Sequence, residues 1–114
     1  MKKLFKVIAT IAVLFGFSSQ SFADGHKPTI ALVPGLTTDA FYITMHKGAM
    51  AAADALGVEL LFQGSPEWNA SLQIPILNAV IAKKPDAILI APNDKQQLIA
   101  PLKAAADAGI AVIC

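Results

Sequence analysis

The stretch PDAILIAPND, residues 85–94, decides the fold of this chain. Its apolar part, Ala87 to Ala91, has no alternation of polar and apolar residues, which is typical of a parallel strand covered on both faces. A short polar loop, Pro92-Asn93-Asp94, follows and predicts the start of a helix, with Asp94 as its N-cap. The helical pattern runs on to Gly109, and Pro101 within it predicts a kink or a late start.

The same alternation of short apolar runs and helical segments extends on both sides of this stretch. A first helix is predicted from an Asp39 N-cap to Gly57, and a second helix begins near Ser71, a start that lets it tolerate Pro75. The predicted strands are the runs Thr29 to Val33, Val58 to Phe62, Ala87 to Ala91 and Ile110 to Ile113. This order predicts an α/β fold, a doubly wound parallel sheet of the flavodoxin-like type with four strands and three helices.

The first 23 residues have the three-part order of a secretory signal peptide. Three lysines lie within Met1 to Lys6, an apolar run extends from Val7 to Phe17, and small and polar residues fill most of Ser18 to Ala23. As a helix the apolar run would span roughly half of a bilayer core, so we expect no stable membrane anchor. We therefore predict cleavage before Asp24 and export of residues 24–114 to a bacterial periplasm.

The predicted mature chain, residues 24–114, is close to neutral. It carries six lysines, no arginine and eight acidic residues, which gives a net charge of about −2. Such a chain lacks the basic stripe that neutralises a phosphate backbone, so we expect no nucleic-acid partner. Hydrophobic residues make up 55% of the whole sequence and predict a packed core. The single cysteine excludes a disulfide framework.

The aromatic residues after the leader map to the carboxyl ends of the first two predicted strands or just beyond them, where doubly wound sheets bind small molecules. Aromatic faces stack on the C–H face of a sugar, and carboxylates and amides bind its hydroxyls. We therefore predict a site for a small sugar, formed by Asp39, Phe41, Tyr42, Trp68, Asn93 and Asp94. The alternatives are that Asp39 and Asp94 serve only as N-caps and that the remaining aromatic, Phe62, belongs to the core.

Catalytic and cofactor motifs are missing from the sequence. His26 lies in the predicted N-terminal tail, and His46 lies within the first helix with no Asp, Cys or Ser spaced to orient it. Only Gly35 stands where a dinucleotide fold has Gly-x-Gly-x-x-Gly, and the sequence has no Walker loop and no cluster of metal ligands. We expect a protein that is not an enzyme and has neither a cofactor nor a metal.

Four segments of the mature chain carry a family pattern: Thr29 to Val33, Asp39 to Ala49, Gln73 with Ile76 to Ile81 and Pro85 to Asp94, and Ala104 to Ile113. Together they resemble the ribose-type periplasmic sugar-binding proteins of ABC transporters, which have periplasmic binding protein-like I lobes. The resemblance implies capture of a monosaccharide in the periplasm and its presentation to a membrane permease. It also places the family's sugar-contacting Asn at Asp39 and its two stacking aromatics at Phe41 and Tyr42.

The resemblance also concerns length. Proteins of this family have two lobes that close on the ligand, and residues 24–114 resemble part of the N-terminal lobe only. We therefore expect a truncated chain with little or no sugar affinity of its own, and a monomer if a second lobe completes it. Two other functions stay open: a ligand-sensing domain (of a repressor, of a chemoreceptor or for an autoinducer-type furanose) and a doubly wound enzyme.

Overall fold

The computed structural model describes residues 25–114, and the predicted signal peptide, residues 1–23, lies outside them. Strands and helices alternate along the described chain. The strands are β1 (Thr29–Val33), β2 (Glu59–Phe62), β3 (Ala87–Ile90) and β4 (Ala111–Ile113), and the helices are α1 (Ala40–Leu56), α2 (Ala70–Ala82) and α3 (Ile99–Asp107). The predicted order of seven elements is confirmed, and each strand lies within its predicted run.

The four strands form one parallel sheet in the order β2-β1-β3-β4. In this sheet Leu32 of β1 pairs with Phe62 of β2 on one side and with Leu89 of β3 on the other. The chain first adds β2 beside β1 and then crosses to the opposite side, so the strand order reverses between β1 and β3. The predicted doubly wound fold is confirmed, and this reversal is where such sheets open a crevice at their carboxyl edge.

The hydrophobic core lies between the sheet and the helices α2 and α3. Successive residues of a strand point to opposite faces, and Ala31 and Val33 of β1 are both buried in this core. Leu77 of α2 and Ile88 of β3 lie in the same cluster and are also fully buried. The core therefore fixes α2 and the central strands, from which the loops of the carboxyl edge emerge.

Helix α1 covers the other face of the sheet and begins and ends where the sequence predicted. The Asp39 side chain accepts a hydrogen bond from the Phe41 backbone N–H at its start, and Gly57 ends it with a φ of 68°, a conformation that favours glycine. Small residues such as Ala49 leave an apolar cavity of about 180 Å³ between α1 and Ile30 of β1. This cavity offers almost no hydrogen-bond partners, so it does not suit a polar ligand.

Helix α3 begins later than an N-cap at Asp94 would place it. The α-helix starts at Ile99, and residues 95–98 form a turn that Asp94 caps. Leu98 occupies the N-cap position of α3 and makes no side-chain capping bond. Pro101 favours this start, because a residue without an N–H fits best in the first turn of a helix. The prediction of Asp94 as the N-cap of this helix is wrong, and the late start predicted from Pro101 is confirmed.

Two further findings apply to residues 25–114 alone. No helix in this range is long and apolar enough to cross a bilayer. Nor does this range bring three or more His, Cys, Asp or Glu side chains together in a group that could hold a metal ion.

Candidate functional site

Three loops leave the carboxyl ends of neighbouring strands and lie at one edge of the sheet. They are residues 34–39 after β1, residues 63–69 after β2 and residues 91–98 after β3. Because β1 lies between β2 and β3, its loop is central and lies beside both others. The six predicted site residues all lie in these loops or in the first turn of α1.

Hydrogen bonds join the first loop to the second. The Thr37 backbone N–H donates to the Ser65 carbonyl oxygen at 2.9 Å, and the Thr37 hydroxyl donates to the same oxygen at 3.3 Å. The Thr38 hydroxyl donates to the Pro66 carbonyl oxygen at 3.2 Å. Ser65 is only 1% exposed, and its hydroxyl accepts the Glu67 backbone N–H at 3.0 Å. The two loops therefore form one connected surface.

The side chains of Tyr42 and Trp68 both lie over Gly35. A side chain at Gly35 would overlap the six-membered ring of Trp68 and would begin 2.7 Å from the Tyr42 hydroxyl oxygen. Phe41 packs edge to face on Tyr42, with ring centroids 5.2 Å apart. Phe41 is 65% exposed and Trp68 is 56% exposed, while Tyr42 is half-buried. The structure thus brings three predicted aromatic residues together, and two of the rings present free surface to solvent. We call Phe41, Tyr42 and Trp68 the aromatic group.

Asp39 lies beside this group, at the junction of the first loop and α1. Its Oδ1 atom accepts the Phe41 backbone N–H at 2.8 Å, so Asp39 is the N-cap of α1. The side chain is exposed, and this cap uses one of its two carboxylate oxygens. Capping is therefore compatible with contact to a ligand, and the two roles that the sequence left open for Asp39 do not exclude each other.

A buried glutamine of α2 joins the first loop to the third. Gln73 is 0% exposed, and its Nε2 atom donates to the carbonyl oxygens of Ala91 at 2.8 Å and of Pro34 at 3.3 Å. Its Oε1 atom accepts the Asn93 backbone N–H at 2.8 Å. Asn93 is half-buried, and its side-chain Oδ1 and Nδ2 atoms are shielded from solvent without a hydrogen-bond partner among residues 25–114.

Asp94 is committed to the turn that precedes α3. Its Oδ1 atom accepts the backbone N–H groups of Gln96 and Gln97, both at 2.8 Å, and its Oδ2 atom accepts the Gln97 side-chain amide at 3.2 Å. The N–H groups of Gln97 and then Gln96 are the largest influences that lower the pKa of Asp94 below its ordinary value of 3.8. Both carboxylate oxygens thus accept hydrogen bonds within the loop. A ligand that binds Asp94 would share these oxygens with the loop.

Replacing Asp94 by Ala tests this turn. We expect Asp94→Ala to lower the thermal midpoint at neutral pH, because two backbone N–H groups lose their acceptor. A folded-state pKa below the unfolded value means that the contribution is fully present above pH 3.8 and is lost as the pH falls through the folded pKa. Thermal melts of the two proteins should converge in acid. Asp54→Ala, which removes an exposed carboxylate in α1, is the control and should change the midpoint little.

The remaining aromatic residue packs against a histidine. Phe62 and His46 stack with ring centroids 3.7 Å apart and planes at 5°. Both side chains are half-buried between β2 and α1. This contact gives Phe62 a packing role against α1, although Phe62 is not part of the buried core cluster that the alternative interpretation assigned it to.

Three residues that shape this edge were not predicted as site residues: Gly35, Ser65 and Gln73. For Gln73 the sequence held a signal, because it lies on the buried stripe of α2 with Leu77 and Val80. A polar residue in an apolar stripe needs buried partners. Gly35 and Ser65 each contact a residue of a different loop, Trp68 and Thr37 respectively. No local sequence pattern predicts such contacts.

These features define a class of protein. A doubly wound lobe carries aromatic rings, an amide and carboxylates on three joined loops at the edge where strand order reverses. Residues 30–114 match the family described as the periplasmic binding protein domain. The chain belongs to this family, and the resemblance stated from the sequence is confirmed.

Known relatives and solved structures agree with this assignment. The chain is 40% identical over 90 residues to the D-ribose/D-allose-binding protein of Pseudomonas aeruginosa, which covers 76% of this chain and 28% of that protein. It is 69% identical, with a TM-score of 0.74, to an ABC transporter solute binding protein from Agrobacterium vitis bound with alpha-D-tagatopyranose. It is 31% identical, with a TM-score of 0.71, to LsrB from Clostridium saccharobutylicum in complex with AI-2.

The chain is much shorter than these proteins. The match to the Agrobacterium vitis structure covers 75% of this chain and 29% of that one, and the match to LsrB covers 74% and 26%. The aligned part is thus less than a third of the Agrobacterium vitis structure and of LsrB.

Proposed function

We propose that this chain belongs to the substrate-binding component of a sugar ABC transporter. It captures a small monosaccharide in the periplasm and presents it to the permease, and no bond is made or broken. The observation that carries this proposal is the aromatic group, Phe41, Tyr42 and Trp68, which exposes ring surface at the edge where strand order reverses. The relatives bound with or named for sugars support the same ligand class.

Each part of the site has a role in this proposal. The rings of the aromatic group stack on the apolar C–H face of the sugar. The free oxygen of Asp39 and the amide of Asn93 bind hydroxyls, and Asp94 contributes through its shared oxygens. A hydrogen bond to a charged group contributes about 1.5 to 3 kcal/mol, enough to distinguish epimers.

The charge of the three loops favours a neutral ligand. They carry the carboxylates of Asp39, Glu67 and Asp94 and one ammonium group, that of Lys95. An anionic ligand such as a sugar phosphate would meet net negative charge and no arginine. A neutral polyhydroxylated ring meets hydrogen-bond acceptors instead.

The loops supply one wall of a site. A ligand on one wall keeps contact with water on its other side, so it forms fewer contacts and each polar contact is weakened by solvent. We therefore expect the chain alone to bind sugars with a dissociation constant of about 1 mM or weaker, which corresponds to about −4 kcal/mol. A second lobe from the same kind of protein would enclose the ligand and strengthen binding.

A furanose signal of the AI-2 type is the second candidate ligand. The similarity to LsrB in complex with AI-2 favours it. The higher identity to the tagatopyranose-bound protein, 69% against 31%, supports the monosaccharide as the first choice.

A chimera tests the proposal. The 114-residue chain is joined to the remaining part of the Agrobacterium vitis protein, which is 69% identical in the aligned region and therefore offers a closely matched partner surface. Titration calorimetry with D-tagatose, D-ribose, D-allose and AI-2 should give micromolar binding of one sugar. A chimera that folds cooperatively and binds none of the four would contradict the proposed function.

Variants of the chimera test the site. Trp68→Ala and Tyr42→Ala should each weaken sugar binding by about tenfold to a hundredfold, because each removes about 1.4 to 3 kcal/mol of ring contact. Met50→Ala, at an exposed position of α1 outside the three loops, should leave the affinity unchanged. Equal affinities for all three variants would place the sugar elsewhere.

Export is tested separately. We propose that residues 1–23 direct the chain to the periplasm and are removed. Expression of the full chain in a Gram-negative host should yield a periplasmic product whose N-terminal residue is Asp24. A product that stays in the cytoplasm at full length would contradict this part of the proposal.

A further inference from the structure

Gln73 occupies the point where the strand order reverses. It lies in the first half of α2, and its side chain reaches the first residues after β1 and β3, Pro34 and Ala91. It is the one side chain that hydrogen bonds to both of these loops in the contacts of the described chain. Each of its polar atoms has at least one partner, although the residue is fully buried.

A buried amide at this position is not needed to fill the core. Its neighbours on the same stripe of α2, Leu77 and Val80, are apolar and fully buried. An apolar side chain of similar size would fill the same space without the need for hydrogen-bond partners. What the amide adds is a fixed distance between two loops, because its hydrogen bonds are directional and an apolar contact is not.

Within residues 25–114, Asn93 forms a hydrogen bond through its backbone N–H and none through its side-chain amide. Gln73 Oε1 accepts the Asn93 backbone N–H at 2.8 Å, while both polar atoms of the Asn93 amide lack partners within residues 25–114. A shielded amide without partners is an unfavourable arrangement in a native protein, and a bound ligand is one of the partners that relieve it. The main chain of Asn93 is thereby fixed, while both polar atoms of its side chain lack the partners that a ligand hydroxyl would supply.

We propose that Gln73 is a positioning residue of the sugar site: it fixes the loop after β3 against the loop after β1 and so presents the Asn93 amide to the ligand. Gln73 itself does not touch the sugar. This inference rests on the proposed function, and it adds a specific route by which a residue outside the crevice controls affinity. Replacing Gln73 and removing the Asn93 side chain should therefore both lower sugar affinity through loss of the same contact, that of the Asn93 amide with the ligand.

The first test needs no sugar and uses the full chain. Amide hydrogen exchange followed by NMR should find the Asn93 backbone N–H slow to exchange in the wild type. In Gln73→Leu its protection should fall by about tenfold or more relative to the Ala91 N–H, which bonds the Val33 carbonyl oxygen in the sheet. A merely structural role would lower both protections by the same factor. Gln96→Leu, the same change at an exposed glutamine, should alter neither.

The second test measures affinity in the chimera described above. Gln73→Leu should weaken D-tagatose binding by about tenfold, and Asn93→Ala should do the same. The double variant should bind no more weakly than Asn93→Ala alone, because Gln73 acts through Asn93. Gln73→Asn keeps the amide but is one methylene shorter, so it should also lose affinity, and it replaces Gln73→Leu if that variant does not fold.

The outcomes separate this inference from the proposed function. Suppose that the chimera binds sugar. If Gln73→Leu then leaves the affinity unchanged, or if the losses in the double variant are additive, the positioning role is overturned and the proposed function stands. Absence of sugar binding in a folded wild-type chimera overturns the proposed function and the ligand contact of Asn93. Equal protection factors at Asn93 in the wild type and in Gln73→Leu overturn the link between Gln73 and the loop, whatever the sugar result.

Discussion

Replacing Leu77 by Ala should lower the free energy of unfolding of this chain by about 2 to 5 kcal/mol. Leu77 is 0% exposed and lies in the core cluster beneath the central strands. The substitution removes three buried carbon atoms and leaves a cavity that close-packed neighbours fill only in part. For a domain of this size the total stability is about 5 to 15 kcal/mol, so urea denaturation should detect a large fall in the midpoint.

A second leucine provides the matched control. Leu56 at the end of α1 is 74% exposed, and Leu56→Ala should change the free energy of unfolding by no more than about 0.5 kcal/mol. The same chemical change would thus have very different effects at the two sites. Equal losses would mean that α2 does not pack on the sheet as described, and the placement of Gln73 on the same stripe would fall with it.

The strands were predictable because burial leaves a mark in the sequence. A strand covered on both faces is apolar at nearly every position, and the runs that begin at Thr29 and Ala87 are too short to form an amphipathic helix. The carboxyl edge followed from the fold, since parallel strands end together. This is why the six predicted site residues could be assigned to one edge from the sequence.

The start of α3 was not predictable from Asp94. An Asp can accept two backbone N–H groups at the start of a helix or in a turn, and the local sequence does not distinguish the two cases. Here the N–H groups of Gln96 and Gln97 belong to a turn, and the helix follows only at Ile99. Pro101 carried the deciding information, and its two consequences, a kink or a late start, could not be separated without the packed structure.

The arrangement within the site depended on contacts between distant residues. Thr37 and Ser65 are 28 residues apart, and Gln73 and Pro34 are 39 residues apart. No periodicity predicts such pairs, because each loop alone is compatible with many conformations. Residue types for a candidate site could therefore be proposed from the sequence, whereas the scaffold that joins the loops required the structure.

Replacing Gly35 by Ala should displace Trp68 and disrupt the aromatic group. A Cβ atom at residue 35 would overlap the indole ring and lie 2.7 Å from the Tyr42 hydroxyl oxygen, so at least one ring must move. The sequence contains a single Trp and a single Tyr, which makes fluorescence a specific measure of this contact. We expect a shift of the Trp68 emission and less energy transfer from Tyr42. In the chimera, sugar affinity should fall by about tenfold, as the stacking surface is no longer continuous.

Gly48 offers the same substitution without the contact. It lies within α1 with open space where a Cβ would stand, so Gly48→Ala should leave the emission and the sugar affinity unchanged. It should also raise the stability by about 0.5 to 1 kcal/mol, because alanine loses less conformational freedom than glycine in a helix. A Gly35→Ala protein with the emission and the energy transfer of the wild type would mean that Trp68 does not lie over the first loop. The aromatic group would then not exist as one surface, and this edge would offer a sugar no joined set of rings on which to stack.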